Sequence, residues 1–126
     1  MMKKQIATLL MAASLGFSGL AMAHGAKPAQ YGGVVQAAGD LQFELVNKDG
    51  AITIYVDDHD AKKPVAGASG KLTVLTGVQK TETTLAAGTG NALVAADKVL
   101  VARGSKAVAV IKFADGKSVT ARFSVK

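Results

Sequence analysis

Residues 41–56 read LQFELVNKDGAITIYV, and this stretch decides the fold. Apolar side chains alternate with polar ones on both sides of a central turn, at Leu41, Phe43 and Leu45 and then at Ile52, Ile54 and Val56. A period of two is typical of a strand with one buried face. The Asp49-Gly50 pair lies between the two runs, and glycine readily adopts the positive φ that a tight hairpin turn requires. The stretch therefore predicts two antiparallel strands joined by a hairpin.

Further short alternating segments follow along the chain. They lie at residues 71–75, 79–85, 92–95, 107–113 and 118–125, with turn signals between them. Residues 97–105 are compatible with a loop, a helical turn or an edge segment. About seven strands within roughly 100 residues are typical of a small antiparallel sandwich. We therefore predict an all-β fold, an immunoglobulin-like β-sandwich over residues 33–126.

The first 23 residues have the pattern of a secretory signal. Lys3 and Lys4 precede an apolar run at residues 6–20, and Ala21-Met22-Ala23 supplies the small residues that a signal peptidase reads. The run is short for a membrane span, and no second one follows. We predict a helical signal peptide at residues 1–23, a flexible arm at residues 24–32, and a periplasmic protein with no membrane span after cleavage.

The composition of the mature chain limits the kinds of site and activity that we expect. Cleavage after Ala23 leaves 103 residues with a net charge of +4 and with neither cysteine nor methionine. These absences exclude disulfides, thiolate metal sites and a thioether site for cuprous copper. The lysines are scattered and aromatic residues are few, which argues against nucleic-acid binding. Because the chain also lacks a phosphate-binding loop and a nucleophile elbow, we expect no enzymatic activity.

His24 becomes the first residue if the signal is removed after Ala23. Its free α-amine and one ring nitrogen can then close a chelate on one metal ion, which an internal histidine cannot do. Two neutral nitrogen donors suit copper(II), and imidazole also binds zinc. The alternative is that His24 merely begins an arm without function.

His59 is the second candidate ligand, within the segment Asp57-Asp58-His59-Asp60. In an extended chain Asp57 and His59 project to the same side. Asp57 or Asp58 is then expected to provide an oxygen ligand or to orient the histidine ring. The alternative is an aspartate-rich turn whose carboxylates bind nearby backbone N–H groups.

Several segments together resemble a group of small proteobacterial periplasmic proteins, which are related to segments found beside or within the adaptor subunits of heavy-metal efflux pumps. The resemblance covers nearly the whole mature chain and rests on His24-Gly25, Gly32-Gly33, residues 43–46, 54–59, 64–65, 68–75 and 121–123. It implies a periplasmic β-domain with a part in metal handling. Of the candidate ligand positions, only His24 and His59 match. Tyr31 stands where similar chains often carry a histidine before the glycine pair.

The resemblance leaves two functions to distinguish. One is weak binding of copper(II) or zinc(II) in metal resistance or efflux, with His24, His59, Asp57 and Asp58 as the metal-site residues. The other is an interaction module without metal, which docks on a periplasmic efflux adaptor or another envelope protein. A β-sandwich accepts such a partner through main-chain hydrogen bonds at a sheet edge.

Overall fold

A computed structural model describes residues 27–126 of the chain. The predicted signal peptide and His24 lie outside these residues. The described part is built from strands joined by short turns and loops. In chain order these are β1 (Val34–Ala38), β2 (Leu41–Lys48), β3 (Ala51–Asp58), β4 (Ala61–Lys62), β5 (Ser69–Thr76), β6 (Gln79–Ala87), β7 (Ala92–Ala95), β8 (Lys106–Lys112) and β9 (Ser118–Ser124).

All neighbouring strands are antiparallel, so the all-β antiparallel prediction is confirmed. The strand order is β1-β2-β3-β7-β6-β5-β8-β9, and the short β4 pairs with β3. Strand β1 also lies beside β9. The sheet therefore curls into a nearly closed cylinder around one core.

The structure has nine strands where the sequence predicts about seven. The additional ones are β1, whose sequence VVQAA lacks alternation, and the two-residue β4. The two halves of the molecule also form one continuous sheet, because β7 pairs with β3 on one side and with β6 on the other. Residues 97–105 form a loop without regular strand structure, and the buried side chain of Val99 closes the core there.

The core consists of the apolar side chains that alternate along the strands. Phe43, Ile54 and Leu72 are fully buried, and Phe123 is almost fully buried. Burial of a side chain of this size stabilises the fold by about 1.5–3 kcal/mol, which is why the alternation determines which face of each strand points inward. Within residues 27–126 no helix is long and apolar enough to cross a bilayer.

The hairpin predicted from the Asp49-Gly50 pair is present. Lys48 pairs with Ala51, and the two turn residues between them have φ angles of 51° and 90°. Positive φ at both positions is the geometry of a type I′ turn, whose twist matches that of the flanking strands. The side-chain oxygen of Asn47 also accepts a hydrogen bond of 2.9 Å from the Gly50 amide.

The antiparallel order places successive turns at opposite ends of the sheet. One end carries the β1–β2 turn at Gly39-Asp40, the β3–β4 turn at His59-Asp60 and the β8–β9 turn at residues 114–117. We refer to it as the His59 end. The opposite end carries the β2–β3 turn, the β5–β6 turn and the last residues of β9.

Candidate functional site

A cleft of about 560 Å³ opens at the His59 end. It lies between the three turns of that end and combines apolar with charged side chains. The amine of Lys63 lies 4.9 Å from the centroid of the Phe113 ring, within the range of a cation–π contact. The lining residues are Asp40, Leu41, Asp58, His59, Lys63, Phe113, Asp115, Lys117, Ser118 and Val119. The cleft therefore places His59 and Asp58 beside both apolar and ionic groups.

His59 occupies the first position of a two-residue turn. Asp58 pairs with Ala61 across that turn, and His59 has a φ of 58°. Histidine is one of the few residue types other than glycine that adopt this left-handed conformation readily. Its Nδ1 atom lies 2.7 Å from a carboxylate oxygen of Asp58, and 82% of its side chain is exposed. The contact leaves Nε2 as the ring nitrogen available to a ligand.

Asp57 does not share this arrangement. The expectation that Asp57 and His59 project to the same side assumes an extended chain, and the left-handed conformation of His59 ends that extension. The carboxylate of Asp57 instead accepts hydrogen bonds from the amide side chains of Gln30 at 3.1 Å and Asn91 at 3.3 Å. Of the two candidate aspartates, the structure therefore brings only Asp58 to the histidine ring.

Residues 27–33 lie over the outer face of β2 and β3, and Glu44 holds them there. The Glu44 carboxylate accepts hydrogen bonds of 2.8 Å from the backbone amides of Gln30, Tyr31 and Gly33. The side chain is buried although its strand position faces outward, because this segment covers it. Hydrogen bonds to an ionised acceptor are stronger than those between neutral groups, so one carboxylate fixes the path of the segment.

Two further contacts hold residues 27–33 against β2 and β3. The rings of Tyr31 and Tyr55 stack with their centroids 3.7 Å apart and their planes 13° from parallel. A Cβ atom at Gly33 would overlap the backbone oxygen of Leu45 and would come within 2.9 Å of the Val46 side chain. Only glycine therefore permits the close approach of the segment to β2. The stacked rings of Tyr31 and Tyr55 thus pack the segment against β3.

The start of the segment is attached to the His59 turn. The Lys27 amine donates a hydrogen bond of 2.7 Å to the backbone oxygen of His59, and it forms an ion pair with Asp60. The Lys27 backbone amide donates to the side chain of Gln42 at 3.1 Å. The segment thus runs from the His59 end to the opposite end, where β1 begins, and its first described residue lies beside the candidate histidine.

The described residues supply only part of a metal site. Nowhere in residues 27–126 do three or more His, Cys, Asp or Glu side chains converge on one point. His59 and Asp58 form a pair, and His24, the other predicted ligand, lies outside the described residues. Within residues 27–126 the His59 turn therefore provides two candidate ligands, His59 and Asp58.

Sequence reasoning missed the roles of Glu44 and Lys27. Glu44 occupies a polar position in an alternating strand, which by itself predicts exposure to solvent. Its signal is indirect, since the Gly32-Gly33 pair marks a close backbone approach whose partner the sequence does not identify. Lys27 belongs to a stretch without periodicity, and nothing in the sequence indicates that it reaches a turn 32 residues further along the chain.

Comparison of the chain with models of protein families, with curated proteins and with solved structures finds no match. The resemblance to proteins associated with efflux adaptors therefore stays a prediction.

Proposed function

We propose that this protein is an exported, non-enzymatic periplasmic protein that binds copper(II) or zinc(II) in metal resistance or efflux. In this proposal the α-amine and ring of His24 chelate the metal, His59 adds a second imidazole, and Asp58 orients the His59 ring. The hydrogen bond between Lys27 and the backbone of His59 is the observation that carries the proposal.

The attachment of Lys27 brings the start of the mature chain within reach of His59. Lys27 is the third residue after His24, and a fully extended chain spans about 10 Å between these two positions. Because Lys27 is bound directly to the His59 turn, chain length permits residue 24 to meet the His59 ring. The hydrogen bonds to Glu44 and the bond from the Lys27 amide to Gln42 hold the rest of the segment along β2, so it reaches the His59 end.

The donor chemistry at the turn also favours a metal. A carboxylate on one nitrogen of an imidazole ring fixes the orientation of the ring and leaves the other nitrogen to face a metal, as is common for histidine ligands. Asp58 is placed to do this for His59. The Lys27 ammonium group pairs with Asp60, and no ion pair between Lys27 and Asp58 is present in the described residues. The Asp58 carboxylate therefore stays available to the ring.

The test uses the protein that starts at His24, titrated with copper(II) and followed by electron paramagnetic resonance. We expect nitrogen hyperfine structure from the amine and the imidazole rings. His24→Ala removes the ring but keeps the α-amine, and it should weaken binding roughly tenfold or more, because two donors held in one chelate act at high effective concentration. Gln79→Ala, at an exposed position of the opposite end, is the control and should change nothing.

The role of His59 is tested by His59→Asn, because asparagine keeps the left-handed turn but removes the imidazole. We expect a roughly tenfold weaker copper(II) affinity and loss of one nitrogen from the hyperfine pattern. Asp49→Asn is the matched control, since Asp49 is the other described non-glycine residue with positive φ and lies at the opposite end. Equal affinities of the His24→Ala and Gln79→Ala proteins would refute the chelate and would favour docking on an efflux adaptor or another envelope protein.

A further inference from the structure

The outer face of β6, β5, β8 and β9 is unlike the rest of the surface, and we call it the open face. The strand register places its outward side chains in rows across the four strands. Leu75 lies between Lys80 and Lys106 in one row, and Val110 lies between Lys71 and Thr120 in another. Its cationic side chains are Lys71, Lys80, Lys106, Lys112 and Arg122, all exposed.

The open face accounts for the whole net charge of the described residues. It carries five cationic side chains and one carboxylate, that of Glu82, which gives an excess of +4. The remainder of residues 27–126 contains eight basic and eight acidic side chains. The lysines that are scattered in the sequence are thus brought together by the fold. A field concentrated on one face attracts anionic partners more strongly than the same charge spread evenly.

Most of this positive charge has no counter-ion within the fold. Glu82 lies between two lysines, 3.1 Å from the Lys71 amine and 3.6 Å from the Lys80 amine. Across residues 27–126 no ion pair involves Lys106, Lys112 or Arg122. These three side chains lie on β8 and β9 and are therefore available to anions outside the protein.

Apolar side chains are interspersed with the cations. Leu75 is 39% exposed between two lysines, and Val110 is 46% exposed beside Lys71. Exposed aliphatic groups next to long amines suit the boundary between lipid headgroups and acyl chains, where amines reach phosphate while apolar groups and lysine stems leave water. A soluble acidic partner would use the cations but would gain little from these two side chains.

The face also lacks features that recognise other anions. A second cleft lies beside the β2–β3 turn, at the end opposite His59. Neither this cleft nor the one at the His59 end is lined by any of the five cations, so these cations do not form a binding pocket for one small anion. The aromatic residues of the described chain lie elsewhere, with Tyr31 and Tyr55 on the other outer face and the phenylalanines buried. Single-stranded nucleic acids are held largely by stacking on aromatic rings.

We propose that the open face is a membrane-docking surface, which holds the protein on anionic phospholipid headgroups. Lys106, Lys112 and Arg122 engage the phosphates, and Leu75 and Val110 lie against the headgroup boundary. The metal proposal concerns the His59 end, so either proposal stands if the other fails.

The test is sedimentation of the protein with vesicles. Vesicles of equal parts phosphatidylglycerol and phosphatidylcholine should carry the protein down, whereas pure phosphatidylcholine vesicles should not. The triple variant K106Q/K112Q/R122Q should lower the partition coefficient on the order of 100-fold, since each cation near an anionic surface contributes about a fivefold factor. The control K48Q/K62Q/K98Q has the same net charge but alters exposed lysines outside the open face, and it should lower partitioning by less than about fivefold.

Clear outcomes would overturn the proposal. These are equal losses for the two triple variants, equal binding to both kinds of vesicle, or equally tight binding to duplex DNA with the same dependence on Lys106, Lys112 and Arg122. If the triple variant does not fold, as judged by circular dichroism, K106Q alone should still lower partitioning about fivefold, and an unchanged value would reject the proposal.

Discussion

The two outer faces of this sheet differ in what lies over them. On the face of β2 and β3, residues 27–33 cover Glu44, and its carboxylate accepts three backbone hydrogen bonds. On the open face, Glu82 stays at the surface between two lysines. Both glutamates occupy outward positions on alternating strands. Whether an outward-facing side chain is buried or exposed therefore depends on the segment that lies over it, and not on the alternation of apolar and polar residues in its strand.

The largest expected effect comes from changing the two glutamates separately. Glu44→Gln keeps the size and shape of the side chain but replaces one of its two acceptor oxygens by an NH₂ group. That group would face backbone amides that are themselves donors, so their hydrogen bonds would be lost. We expect it to lower the free energy of unfolding by about 2–3 kcal/mol, measured by urea denaturation. Glu82→Gln is the matched control and should shift the midpoint far less, because exposed ion pairs contribute little.

Equal stabilities of Glu44→Gln and Glu82→Gln would show that the three hydrogen bonds to Glu44 contribute no net stability. Amide hydrogen exchange tests the comparison of the two faces at individual backbone amides. In Glu44→Gln the amides of Gln30, Tyr31 and Gly33 should lose protection, whereas amides in β8 should keep theirs relative to the new global stability.

A second comparison uses one valine from each face. Val46 is 8% exposed beneath Gly33, and Val110 is 46% exposed on the open face. Val46→Thr places a hydroxyl in a covered, apolar position and should cost about 1–2 kcal/mol in thermal unfolding. Val110→Thr should stay within about 0.5 kcal/mol of the unsubstituted protein. A larger loss for Val110 than for Val46 would contradict the assignment of the covered face.

The tyrosine stack tests the covered face by itself. In a double-mutant cycle with Tyr31→Ala and Tyr55→Ala, we expect a coupling energy of about 1 kcal/mol, as for other aromatic pairs. Urea denaturation of the two single variants and the double variant provides the measurement. Strictly additive losses would mean that the two rings do not interact in solution.

The smallest expected effect is the pH dependence on the open face. The hydrogen bond and charge of Lys71, with a further contribution from Lys80, hold the pKa of Glu82 below its ordinary value of 4.5. A carboxyl whose pKa is lowered by folding stabilises the fold above its unfolded pKa, and this contribution disappears as the pH falls through the folded pKa. The small difference in stability between the parent protein and Glu82→Gln should therefore shrink as the pH falls below 4.5 and vanish once Glu82 is protonated in the folded protein, and high salt should reduce it at neutral pH.

Local chemistry predicts much of the fold. The alternation at residues 41–56 and the Asp49-Gly50 turn suffice for the β2–β3 hairpin, because both signals depend only on neighbouring residues. Strand β1 was missed because its pairing with β2, and not its own pattern, makes it a strand. The two-residue β4 is too short to have a pattern at all.

The candidate site is less predictable because its contacts join distant parts of the chain. His59 and Asp58 are adjacent in sequence, so their pairing was within reach of sequence reasoning. The approach of Lys27 to His59 spans 32 residues, and the burial of Glu44 requires a segment 11 to 14 residues earlier. Neither segment carries a periodic signal, so their association follows only from the folded sheet.

The path of residues 27–33 also separates the two ends of the described chain. Strand β9 finishes at the end where β1 begins, whereas Lys27 lies at the His59 end, about 25 Å away along eight residues of strand. Immobilising the protein through Lys126 would therefore direct the cleft toward solution. A biosensor chip coated in this orientation would present the cleft of the His59 end to the analyte on every molecule, while coupling through Lys27 would obstruct it.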